Sequence, residues 1–303
     1  MVMNYTAPAH VAKVIANLGR TEDIKFSPTN RRLAVAGFER NQITIFDIYI
    51  DSAQRDPTLE ITDVVELSSS HLQHPHGVDF FDDDTIIVAN RDGDAAILRV
   101  PPVGSDSCQL MPVGVIPGDV LAAPGSVAVI RKGFGLYEVL ICNNRGHTVT
   151  RHLLDLSTEF EVKANHVVLQ RWLDSPDGIS ISSDMQWVAI SNHGSHSVLI
   201  YENSSRLNES SSPVGILRCV YSPHGLRFTN DCRFLHPNLI ITVWHSFASG
   251  GKPRRVRREG SISQLGLLSF VRITFRPLRE ARKYHSLLTM CLLIDRSSAD
   301  VLA

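Results

Sequence analysis

"HPHGVDF" (residues 74–80) returns in altered form as "SPHGLRF" (222–228), and between the two stand "APGSVAV" (123–129) and "SPDGISI" (175–181). Each stretch leads from a proline into a short alternating run of the kind that forms a half-buried strand. "RTEDIKF" (20–26) opens the same pattern without the proline. The corresponding strand residues Phe26, Phe80, Val129, Ile181 and Phe228 are spaced by 54, 49, 52 and 47 positions, so the chain is built on an internal repeat.

Within a unit, a polar turn follows the first run, and a β-rich run comes next: "LAVAG", "IIVAN", "VLICNN" or "WVAISN". A third strand ("ITIFDI", "AILRV", "SVLIY") and a fourth ("DVVELS", "HVVLQRW", "GILRCVY") complete it. Four antiparallel strands in roughly 50 residues is the size of a β-propeller blade. The expected fold is all-β: a propeller of six-bladed design occupying 1–235, with blades opening near 20, 74, 123, 175 and 222. Residues 10–19, "HVAKVIANLG", are β-compatible and are expected to close the ring as the outer strand of the last blade.

The repeat stops within its fifth unit. After "TNDCRF" the chain reads "LHPNLIITVWHSFASGGKPRRVRREGS", and Pro237 stands inside the expected second strand, where it removes a ladder donor. Charge changes at the same place: residues 1–236 hold 19 Lys and Arg against 27 Asp and Glu, whereas 237–303 hold 11 against 4. The last one or two blades therefore read as disrupted, and 236–303 reads either as a basic C-terminal extension or as out-of-frame, disordered sequence. The break in mid-strand favours the second. "KPRRVRR" (252–258) has no interleaved aromatic residues and belongs to no recognised nucleic-acid module, so nucleic acid is not the expected partner.

With 43% hydrophobic and 20% charged residues, the chain has the composition of a protein with a sizeable core. No run approaches the roughly 18 apolar residues of a membrane span, and "MVMNYTAPAHVAKV" lacks the order of a signal peptide, so the expected setting is cytoplasmic, away from membranes. Five widely spaced cysteines without CxxC read as buried thiols.

The residue just before each inner strand is Glu22, His76, Gly125, Asp177 or His224. First strands line a propeller's channel, so these positions are expected to converge at one mouth. The second strand returns to that face and adds Asn90, Arg91, Asn143, Asn144, Asn192 and His193 as rim candidates. Glu22, His76, Asp177 and His224 offer N and O donors suited to zinc, calcium or manganese, with His76 and His224 as candidates for moving protons. A competing reading makes the same motif turn chemistry, with the variable residue pointing into water.

The units resemble NHL and YVTN propeller repeats over about residues 10–235. The pre-strand positions are similar to those of the gluconolactonase, or senescence-marker, family of six-bladed propellers. That resemblance implies a divalent metal, with Glu22 matching the family's glutamate and Asp177 its aspartate turn. His76 and His224 stand at positions of the same kind without being the family's asparagine. Pro-His-Gly is also similar to turns of streptogramin-lyase-like propellers, in which channel-face histidines support elimination. Two functions are expected: a metal-dependent hydrolase of lactones or esters, or a lyase; and a non-catalytic propeller holding a peptide, protein or small ligand on the same face.

Overall fold

Runs such as "LAVAG" and "TIIVAN" are buried along their whole length, as strands covered on both faces must be. The computed structural model describes residues 5–51, 58–158, 160–218, 220 and 222–228, together with the backbone of four short strands, Phe234–His236, Leu239–Ile241, Phe270–Ile273 and Met290–Leu293. Four complete antiparallel sheets follow one another in chain order. Blade one is Asp23–Phe26, Arg32–Gly37, Gln42–Asp51 and Thr58–Ser68. Blade two is Pro75–Asp82, Thr85–Asn90, Ala95–Arg99 and Gly114–Ile116. Blade three is Pro124–Gly133, Leu136–Asn143, Thr148–Asp155 and Glu161–Leu169, and blade four is Pro176–Ile181, Trp187–Asn192, Ser197–Glu202 and Gly215–Arg218.

A fifth sheet begins with Arg227–Phe228 and continues through Phe234–His236 to Leu239–Ile241. Its middle strand stops one residue short of Pro237, as the missing N–H requires. Of the tail, His236 and Leu239–Ile241 of this sheet and the pair Phe270–Ile273 with Met290–Leu293 are described; the readings of 236–303 as out-of-frame, disordered or a basic extension otherwise lie outside the described residues. No helix among the described residues is long and apolar enough to cross a membrane.

The core consists of slabs between successive blades, which is the layering of a propeller. Ala34, Ile43, Ile45 and Leu67 of blade one meet Val78, Ile86, Val88 and Leu98 of blade two. The other face of blade two, with Ile87 and Ile97, packs on Val127, Val139 and Ile141 of blade three. Leu140, Cys142 and Val149 of blade three face Ile190, Leu199 and Tyr201 of blade four, whose far side covers Val220 and Phe228 at the start of the fifth unit.

The strand expected over 10–19 is instead a helix, Ala9–Ala16. Val11, Val14, Ile15 and Leu18 recur at three- and four-residue spacing, and three alanines favour helix, so the helical period prevails over β-compatible composition. The helix buries Val11 and Ile15 on Leu33, Phe46, Ile48 and Leu59, covering the free face of blade one. Just before it, Tyr5–Thr6 pairs in parallel with Leu59–Glu60 of the same blade. The N-terminal segment therefore finishes the first blade rather than supplying a strand to the last.

Candidate functional site

The prolines that open blades two and four pair with the asparagines that end the second strands, Pro75 with Asn90 and Pro176 with Asn192. Pairing then jumps to Gly77 with Ala89 and Gly178 with Ser191, leaving His76 and Asp177 as the extra residue of a bulge. A bulge bends the strand and re-aims one side chain, here away from the ladder. The residue before each proline holds a left-handed backbone: His74 at φ 53°, Ala123 at 54°, Ser175 at 52° and Ser222 at 40°. Its carbonyl accepts the N–H of Arg91, Asn144 or His193 in the first three cases, which ties the second strand's exit to the first strand's entry.

The motif glycines are needed for space. A Cβ on Gly77 would stand 2.6 Å from Gly125 O, one on Gly125 would stand 2.9 Å from Asp177 O, and one on Gly178 would overlap His224 O. None of the three has a positive φ, so each permits neighbouring inner strands to touch rather than making a turn. The water-facing alternative for the variable residue fails at two positions, because His76 is 7% exposed and Asp177 4%.

Buried Asn90, Asn143 and Asn192 do not line the mouth; they clamp their own blades. Each Oδ1 accepts a backbone N–H from the segment entering the inner strand: Gln73 at 3.1 Å, Ala122 at 3.0 Å and Asp174 at 2.6 Å. Their amide groups donate to His71 O, Thr150 Oγ1 and Trp172 O. The residues immediately after them enter the mouth, and Phe38 of blade one belongs to the same series. Phe38 meets His76 edge-on at 6.2 Å, Asn144 donates to Asp177 Oδ1 at 3.2 Å, and the ring of His193 stands 4.6 Å from that of His224. In each case a residue from one blade meets the pre-strand residue of the next.

Arg91 is the exception that organises the site. Opposite it the next blade offers Gly125, which has no side chain, and the guanidinium reaches beyond it to blade four. It donates to Ala123 O at 3.2 Å, to Asp177 Oδ1 at 3.0 Å and to His76 Nε2. His76 Nδ1 lies 2.9 Å from Gly125 O, so the neutral ring carries its proton there and offers Nε2 as acceptor. Glu22, bound by Arg20, has Oε2 3.7 Å from the same Nε2. On the other side Asp177 Oδ2 lies 2.6 Å from His224 Nδ1. Glu22, His76, Arg91, Asp177 and His224 thus form one polar chain across four blades.

Burial pushes the His76 pKa down, with the positive charge of Arg91 adding to it against the pull of Asp177 and Glu22. Burial would raise Asp177, but the His224 hydrogen bond and the charges of His76, His224 and Arg91 together hold it well below the usual carboxylate range. The bond to Asp177 raises His224. His193 is lowered by burial and by repulsion from His224, and its Nδ1 is buried without a partner among the described residues.

This arrangement does not fit a divalent ion. Among the described residues no group of three or more His, Cys, Asp or Glu side chains is placed to hold one, and the guanidinium already stands where His76 Nε2 and Asp177 Oδ1 converge. The sequence placed Arg91 on the rim without assigning it this central position. The available signal was its register, one residue beyond the second-strand asparagine and opposite a glycine. The channel below holds Asp23, whose Oδ2 accepts from Val78 N–H at 3.0 Å, and Lys25 paired with Asp79 at 3.2 Å.

No family model matches the chain, and no curated protein matches its sequence. Solved structures similar to it include a Kuenenia stuttgartiensis hydrazine synthase (13% identity, TM-score 0.46, 71% of this chain and 79% of that one). A candidate 6-phosphogluconolactonase from Bacteroides uniformis (12%, TM-score 0.49) is covered over 62% of its length, by 71% of this chain. The periplasmic gluconolactonase PpgL of Pseudomonas aeruginosa (14%, TM-score 0.46) is covered over 57% of its length, by 72% of this chain.

Proposed function

We propose that the channel mouth is a metal-independent acid–base site that hydrolyses a small lactone or ester. The observation that carries this reading is the Asp177–His224 pair, a carboxylate 4% exposed bonded at 2.6 Å to an imidazole 60% exposed. A buried carboxylate that accepts Nδ1–H fixes the tautomer and leaves Nε2 free to take a proton. No hydrogen bond to His224 Nε2 is formed among the described residues.

In the proposed reaction, neutral His224 accepts a proton through Nε2 from a water molecule as the water oxygen bonds to the carbonyl carbon. The carbon–oxygen bond to the leaving group then breaks, and the same proton passes from Nε2 to the departing oxygen. Asp177 stabilises the imidazolium between these steps without itself being protonated. Arg91 places a fixed positive charge beside the carbonyl oxygen as it gains negative charge. His76, held neutral between Gly125 O and Arg91, positions that guanidinium.

The test is turnover of a panel of γ- and δ-lactones and aryl esters by protein treated with EDTA. The reading expects activity that survives chelation and falls by about 100-fold or more in His224→Gln, the scale of a lost general base. Turnover unchanged in His224→Gln overturns it. Ligand retained at the mouth without turnover would assign the face to binding alone.

A further inference from the structure

We infer that His196 is a positioning residue for His224, anchoring the backbone by which the fifth unit enters the mouth. The inference rests on the reading of His224 as the proposed base. His196 Nδ1 accepts the N–H of Ser222 at 3.0 Å, and the His196 main-chain carbonyl accepts that of Val220 at 3.1 Å. One residue of blade four thus takes two backbone donors from the segment that leads through Pro223 to His224. As an acceptor through Nδ1, the neutral ring carries its proton on Nε2. That tautomer is opposite to the one of His224, whose Nδ1 faces Asp177.

The same joint recurs between other blades. Asn41, His147 and His196 each stand immediately before a third strand, in left-handed backbone at φ 51°, 52° and 51°. Each side chain accepts one N–H from the next unit: Asn41 Oδ1 from His74 at 2.6 Å, His147 Nδ1 from Ser175 at 2.9 Å and His196 Nδ1 from Ser222 at 3.0 Å. The donors lie two residues ahead of His76, Asp177 and His224, so each joint sets the approach of one mouth residue. Asn41 shows that the task needs an acceptor atom at the right reach rather than an imidazole. At the joint into blade four, Ser175 is held again through its carbonyl by His193 N–H at 3.1 Å, and Asp174 beside it is clamped by Asn192. His224 has its carbonyl against Gly178 on one side and the His196 anchor on the other. Its 2.6 Å bond to Asp177 tolerates little displacement, since a shift of about 1 Å takes a hydrogen bond out of range.

The test compares His196→Asn, which supplies the acceptor used in blade one, with His196→Ala, which supplies none. Turnover of the lactone and ester panel should be retained in His196→Asn, whereas kcat should fall by up to about 100-fold in His196→Ala with little change in KM, the result of a misplaced proton acceptor. Ring nitrogen NMR of the wild type should find His196 as the Nε2–H tautomer and His224 with a carboxylate-bonded Nδ1–H. That His224 proton signal should persist in His196→Asn and be lost in His196→Ala. Wild-type protein without turnover would remove the catalytic reading and leave these NMR signals to decide the positioning. Where His196→Ala fails to fold, the wild-type tautomer decides it. His196 found as the Nδ1–H tautomer, or a folded His196→Ala whose His224 proton signal and turnover match the wild type, overturns the inference.

Discussion

Asp177 Oδ2 and His224 Nδ1 lie 2.6 Å apart, joining a residue sealed between blades to one open at the mouth. Each shifts the other, the imidazole upward and the carboxyl downward. Asp177→Asn should therefore lower the pKa of His224, and imidazole NMR against pH measures this directly. Activity that requires neutral His224 rises with pH through that pKa, so its acid limb should move to lower pH in Asp177→Asn while the maximal rate falls. A His224 titration unchanged by the substitution would show that the two are not bonded in solution.

Blade contact at the inner strands depends on glycine. Gly77→Ala and Gly178→Ala should each cost about 1–3 kcal/mol or more, because the new methyl meets a neighbouring backbone carbonyl that cannot swing aside. Gly225→Ala is the control, since nothing among the described residues stands within 4 Å of a Cβ there. Urea midpoints of the three variants check the contrast, and equal destabilisation of all three would count against strand contact as the cause.

Much of the architecture was readable because alternation and repeat length are local properties. Phe26, Phe80, Val129, Ile181 and Phe228 each lie in an inner strand, as the repeat predicts. What the sequence hid depended on other blades. The motif looked like a turn because glycine and proline usually make turns, whereas these glycines answer to the carbonyls of neighbouring blades. Asn90 and Arg91 are adjacent in sequence but face different surroundings, one clamped to its own backbone and the other spanning to Asp177. The N-terminal helix was missed because eight residues are too few to establish a period against β-compatible neighbours.

The asparagine clamps make a separate prediction. Asn192→Ala leaves the Asp174 N–H and the Trp172 carbonyl without their partner, and Asn90→Ala does the same to Gln73 and His71. Each should cost about 1–3 kcal/mol, the scale of stranded buried polar groups. The loss should be seen in unfolding midpoints, with substrate affinity of the folded fraction unchanged, because neither amide enters the mouth.

The last prediction concerns acid. His152 is fully buried, with Nδ1 2.6 Å from Asn165 Oδ1 and Nε2 2.8 Å from Thr150 Oγ1, and Thr150 also accepts from Asn143. Burial, with repulsion from His166, brings its pKa down to about 4 against the pull of Asn165. The unfolded chain then binds more protons than the folded one between about pH 6.5 and 4, so this histidine's contribution is present above that window and is lost as pH falls through it. The stability difference between wild type and His152→Leu should shrink by about 3 kcal/mol from pH 7 to pH 4, taking 1.36 kcal/mol per pKa unit. Asp23 works in the opposite direction. Burial pushes it up to about 6 against the pull of Lys25, so its contribution is present below the ordinary aspartate pKa and is lost as pH rises through 6. Its effect should be the smaller, because part of Asp23 remains open to solvent. Urea titrations of wild type, His152→Leu and Asp23→Asn at pH 4, 5.5 and 7 separate the two slopes, and a wild-type minus His152→Leu difference that is flat with pH would show that His152 is not held neutral in the fold.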